Sequence, residues 1–201
     1  MLKKSYLNIA IIVFGSAAYA QSSAIKFNPK AIALNNKAVN LSTTYWNDQK
    51  GLTAVIGILD SALIIDPHYT IAYSNKIYFL GHLKKYEEAL AVVKKEEQLK
   101  LPVNYKFYIA KGEIYYNLKD KVKAKENYQI ALHLAKKSYK KIPSAVNLEN
   151  YAYAKLLTSN LNAANTLIDK EIYHYKDSLS AKKEINRFRK DILPTLTTVH
   201  Y

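Results

Sequence analysis

The chain has 201 residues, with 30 Lys and Arg against 16 Asp and Glu for a formal net charge of +14, and its 49% hydrophobic content excludes a disordered basic tail. The absence of cysteine excludes disulfide frameworks, thiolate metal sites, cysteine nucleophiles and a lipid-modified N-terminal cysteine. Five glycines and five prolines leave little material for β-turns or glycine-rich phosphate loops, which favours long helices in one domain or a compact repeat array.

The first 20 residues have the three-part layout of a secretory signal peptide. Lys3 and Lys4 give the cationic start, a mostly apolar run extends from Leu7 to Phe14, and Ala18-Tyr19-Ala20 forms the cleavage site before Gln21. The run is well short of the roughly 20 residues that span a bilayer. The expectation is an exported protein, periplasmic or secreted, cleaved near Ala20. Removing Lys3 and Lys4 would leave a mature charge of +12.

A short polar lead over residues 21–28 precedes prolines at 29, 67, 102, 143 and 194, about one per helical hairpin. Proline starts or separates helices, so it punctuates an array here. Between the prolines, apolar and aromatic residues recur at spacings of three and four, as in Ile71, Tyr73, Ile77 and Leu80, then Tyr86, Ala89, Leu90 and Val93. Four hairpins superimpose. The first carries Val39, Ser42, Thr43 and Trp46, then Val55, Leu59 and Ala62. The second carries Tyr73, Lys76, Ile77 and Leu80, then Ala89 and Val93. The third has Tyr108, Lys111, Gly112 and Tyr115, then Ala124, Tyr128 and Ala131. The fourth has Leu148, Tyr151, Ala152 and Lys155, then Ala164 and Ile168. In all four, nine positions separate the two halves: 46 to 55, 80 to 89, 115 to 124 and 155 to 164.

This pattern resembles the tetratricopeptide repeat family, a helix-turn-helix unit of about 34 residues with large, small and aromatic residues at set places. The resemblance implies an all-α, right-handed α-solenoid of about four repeats over residues 29–177, with registers starting near 36, 70, 105 and 145. Small residues at Ala89, Gly112, Ala124, Ala152 and Ala164 would let helices approach, and Trp46, Leu59, Tyr115 and Tyr128 would fill the gaps. Val55, Glu96 and Glu171 depart from the family's alanines. Residues 178–193, with Leu179, Ile185, Phe188 and Ile192 on one side, are expected to form a C-terminal capping helix. Residues 194–201 are read as a frayed tail.

Little in the chain points to catalysis. His68, His82, His133, His174 and His200 are isolated and lack the paired histidines and glutamate of a helical zinc site. There is no G-x-S-x-G elbow, phosphate loop or dinucleotide fingerprint. The acid pairs Glu87-Glu88 and Glu96-Glu97 stand beside lysines and are read as solvated helix faces. No catalytic residue, metal or cofactor is expected. The 18 tyrosines could stack bases, but Arg187 and Arg189 are the only arginines, and an AT-rich coding sequence yields the same Lys, Asn, Ile and Tyr enrichment.

The resemblance further implies that first helices line a concave groove. Its groove-facing places fall on Asn40, Thr44 and Asn47; on Ser74, Tyr78 and His82; on Ile109, Glu113, Tyr116 and Asn117; and on Glu149, Tyr153 and Leu156. The set expected to bind a partner is Asn47, Tyr78, His82, Glu113, Tyr116, Asn117 and Tyr153, with packing between repeats as the competing role for the tyrosines. The reading is therefore an exported, non-catalytic scaffold that binds a protein or peptide segment and no nucleic acid. The alternative is a lysine-driven adaptor to anionic envelope polymer or a membrane surface, using Lys136, Lys137, Lys140 and Lys141. The oligomeric state is not legible.

Overall fold

The computed structural model describes residues 26–175 and 177–196. The expected signal peptide at 1–20 and residues 197–201 of the expected tail lie outside the described residues. The chain is all-α, with no strand among the described residues. It divides into two compact units, residues 26–103 with 117–119 and residues 104–116 with 120–196.

In the N-terminal unit, α1 (Pro29–Thr44) and α2 (Gln49–Ile65) form one antiparallel hairpin, and α3 (Thr70–His82) and α4 (Tyr86–Gln98) form the next. The Asn28 side chain accepts from the Lys30 N–H, and Pro29 occupies the first helical turn, where its missing donor costs nothing. Asp48 caps α2 in the same way. Asp66, at the end of α2, accepts from His68 N–H at 3.0 Å and from Asn28 N–H at 2.8 Å, tying the entry of α1 to the α2–α3 turn. Small and branched residues fill the core, among them Ala38, Val55, Leu59, Ala62, Ala72, Leu80, Ala89 and Val93. Within it Asn75 Nδ2 donates to Asn35 Oδ1 at 2.8 Å, so α1 and α3 meet through a satisfied polar pair.

The C-terminal unit is built from α5 (Tyr105–Asn117), α6 (Lys121–Lys141), α7 (Ala145–Thr158) and α8 (Leu161–Glu171), then a 3₁₀ turn at Ile172–Tyr175. Asp120, Ser144 and Asn160 cap α6, α7 and α8. Tyr128 lies across Gly112, where a Cβ would stand 2.5 Å from the ring. The small residues expected at helix crossings are indeed buried, including Ala124, Ala152 and Ala164. Burying each large apolar side chain in such a core contributes about 1.5–3 kcal/mol.

The closing segment departs from expectation. In place of one helix over 178–193 and a frayed tail from 194, α9 (Leu179–Arg187) runs through a π turn at Phe188–Ile192 into α10 (Leu193–Leu196). Leu193 and Leu196 are buried against Leu148, Ile168 and Ile185. The wide turn explains how the helix passes a proline. Leu193 N–H reaches back to the Phe188 carbonyl, and the missing donor of Pro194 then falls beyond the bulge.

Candidate partner-binding surface

The expected site residues separate into an aromatic cluster in the N-terminal unit and a buried polar pair in the C-terminal unit. The first is organised by the α1–α2 turn. Tyr45 N–H donates to the Leu41 carbonyl, and Asp48 N–H donates to the Tyr45 carbonyl at 2.9 Å, closing the turn. The Tyr45 ring lies against Gly51, where any Cβ would overlap it. This arrangement leaves Trp46, half-buried, directed to α3. Its ring stacks on Tyr78 with centroids 5.8 Å apart and packs against His82 at 4.0 Å, tilted by 37°. Tyr78 and His82 share one face of α3 because they are four residues apart. His82 Nε2 lies 3.0 Å from the Trp46 carbonyl. A carbonyl only accepts, so Nε2 carries the proton in this contact. Asn47 is exposed in the same turn. The surface thus presents three packed rings beside an exposed amide.

The repeat pattern gives Trp46 only a gap-filling place between helices. In the structure it lies outside α1, in the turn, and forms the centre of the cluster. Its position just before Asn47, a groove-facing place, is the sequence signal for that role.

Glu113 and Tyr153 behave differently. Glu113 is 6% exposed, and its Oε1 accepts from the Tyr153 hydroxyl at 2.8 Å, joining α5 to α7. Burial pushes the Glu113 carboxyl up to about 7, partly opposed by this hydrogen bond. The Tyr153 hydroxyl is held well above its ordinary range by burial and then by Glu113. Burial also raises Tyr128, with smaller contributions from Glu113 and Tyr116. The expectation that Glu113 faces a groove is therefore corrected, because the carboxyl is enclosed between helices. Tyr153 uses its hydroxyl to satisfy that carboxyl, which is a packing role. Tyr116 and Asn117 are half-buried near the end of α5, Tyr116 against the Tyr105, Ile109 and Tyr128 cluster. Ile109 and Leu156 are likewise buried, while Asn40 and Thr44 are exposed.

A second correction concerns Glu96, expected on a solvated face. It is 2% exposed, and its Oε2 has no hydrogen-bond partner. Burial pushes it up to about 7, with Glu97 adding to the rise. The departure from alanine at this place was the usable signal, whereas the run of neighbouring charges pointed the wrong way.

Comparison with known family models, with curated proteins and with solved structures finds no match to this chain.

Proposed function

We propose that the chain is an exported, non-catalytic scaffold of the tetratricopeptide-like kind, which binds an extended protein segment at Trp46, Asn47, Tyr78 and His82. The observation that carries this reading is the packing of Trp46 against Tyr78 and His82 beside the exposed Asn47. Aromatic rings held by packing offer contact area at low entropic cost, and an adjacent amide reads a peptide backbone through its donor and acceptor. The paired helices with buried small residues at the matched places support the family likeness. Glu113 and Tyr153 leave the binding set, since their hydrogen bond occupies them within the unit.

A photo-crosslinking residue placed at Asn47 in the full chain, expressed in its own cells, tests the reading. A discrete protein adduct that disappears with Tyr78→Ala is expected. No adduct, or one undiminished in that variant while its helical circular dichroism is unchanged, would sink it. The intact mass of the exported form should correspond to a chain beginning at Gln21; a start at Met1 would remove export from the proposal.

A further inference from the structure

One end of the C-terminal unit combines protruding apolar side chains with a lysine face. α6 and α7, and then α7 and α8, are joined by short turns and pack side by side, so the chain reverses twice. The last turns of α6 and α8 therefore share an end. The Tyr139 hydroxyl fastens them there, donating to Glu171 Oε2 at 3.1 Å. Asn147 Nδ2 donates to the Ile142 carbonyl at 2.8 Å, which folds the α6–α7 turn against the start of α7.

Four large apolar side chains stand in solvent around this end. Ile142 is 60% exposed at the end of α6 and Val146 53% in the first turn of α7, Tyr173 is 68% exposed after α8, and Leu179 is 69% exposed at the start of α9. Single exposed apolar residues are ordinary, but four at one end of a small unit are not scattered. Lys136, Lys137, Lys140 and Lys141 occupy the exposed face of the last turns of α6. Between Glu126 and Glu149 the chain carries no carboxylate. On the α8 side, Asp169 is paired with Arg189, and Glu171 accepts from Tyr139 and lies 3.7 Å from His174 Nε2. Asp177 is the exposed acid of the connection to α9.

We propose that this end of the C-terminal unit docks onto an anionic lipid bilayer, with Ile142, Val146, Tyr173 and Leu179 entering the headgroup boundary beneath the α6 lysines. Lysine stems reach along an apolar surface while their ammonium groups meet lipid phosphates, and tyrosine favours the same depth. A soluble polyanion would satisfy the lysines but would leave the four apolar side chains in water, so a bilayer is the surface that uses both features. Among the described residues no helix is long and apolar enough to cross a membrane. This surface is independent of the Trp46 cluster.

Co-sedimentation of the full chain with vesicles tests the proposal, comparing phosphatidylcholine alone with phosphatidylcholine plus phosphatidylglycerol at about 0.15 M ionic strength. The mixed vesicles should bind about tenfold or more tightly than the neutral ones. A K136Q/K137Q/K140Q/K141Q variant should lose that preference. An I142S/V146S variant should bind the mixed vesicles about tenfold more weakly, with an unchanged melting temperature. The apolar run at residues 7–14 is common to all variants and cannot produce the differences. Absence of binding, equal binding to both vesicle types, or undiminished binding by I142S/V146S would each overturn the proposal.

Discussion

At Gly112 the size of one side chain sets how closely α5 meets α6. The Tyr128 ring occupies the space of a Cβ at 2.5 Å, and the Ala124 carbonyl lies at 3.2 Å. Alanine there must displace a buried ring or the backbone, an overpacking cost of about 1–3 kcal/mol that outweighs the helix-propensity gain of about 1 kcal/mol. Gly57, on the exposed side of α2 with open space where a Cβ would stand, has only the gain. Thermal denaturation should therefore show Gly112→Ala lowering the midpoint and Gly57→Ala raising it slightly; equal shifts would refute this account. The Gly112 contact was legible, because the repeat pattern puts a small residue at Gly112 and a gap-filling ring at Tyr128. The fate of Glu96 was legible only in its departure from the repeat's alanine, and not in its surroundings. Its neighbours Lys94, Lys95 and Glu97 are all exposed, so local charge gives no sign of the one position that turns inward.

Helix starts and helix ends differ in how plainly the chain announces them. Asn28, Asp48, Asp120, Ser144, Asn160 and Ser178 are recognisable caps, and each accepts a backbone N–H of the first turn. The ends are obscured because three left-handed positions usually given to glycine are lysines: Lys84 with φ 59°, Lys100 with φ 51° and Lys119 with φ 67°. The backbone bonds of the motif are nevertheless made. Lys84 and Lys85 donate to Gly81 and Leu80, Lys100 and Leu101 to Glu97 and Glu96, and Asp120 to Tyr115. A side chain in this region costs about 1–2 kcal/mol, offset in part by a cation at a helix C-terminus. Replacing Lys84, Lys100 or Lys119 with glycine should stabilise the protein by about 0.5–1 kcal/mol each, measured by urea denaturation. Destabilisation by all three would show that the lysine charge outweighs the backbone strain. The π turn before Pro194 was equally hidden, since proline ordinarily marks a stop.

Across the whole molecule, the hairpin periodicity was readable because burial repeats at helical spacing, but the protonation state was not, because it depends on which carboxyls become enclosed. Burial raises Glu96, Glu113 and Glu149 to about 7 each, and at Glu149 Glu184 adds to the rise while Arg187 opposes it. The folded state thus keeps protons that the unfolded chain releases above the ordinary value of 4.5. Stability should fall as pH rises from about 4.5 to 7 and level off above that. The two buried groups, Glu96 and Glu113, each contribute on the order of 2 kcal/mol, and the half-buried Glu149 contributes less. The chain's net positive charge repels itself, so moderate salt should be present to screen the repulsion. The melting temperature should be higher at pH 5.5 than at pH 8, and Glu96→Gln should reduce the difference. A midpoint that rises with pH would contradict the burial of these carboxyls.

The left-handed lysines have a consequence for proteases. Trypsin cleaves after lysine, and exposed turns are where a folded chain is nicked first. Lys84, Lys100 and Lys119 all lie in exposed backbone between helices. The residues that terminate α3, α4 and α5 are therefore also cleavage sites, and brief digestion should release fragments whose ends fall at helix junctions. Lys85 and Lys121 remain beside two of these positions, so Lys100→Gly is the substitution that would both relieve the backbone and erase a junction cut.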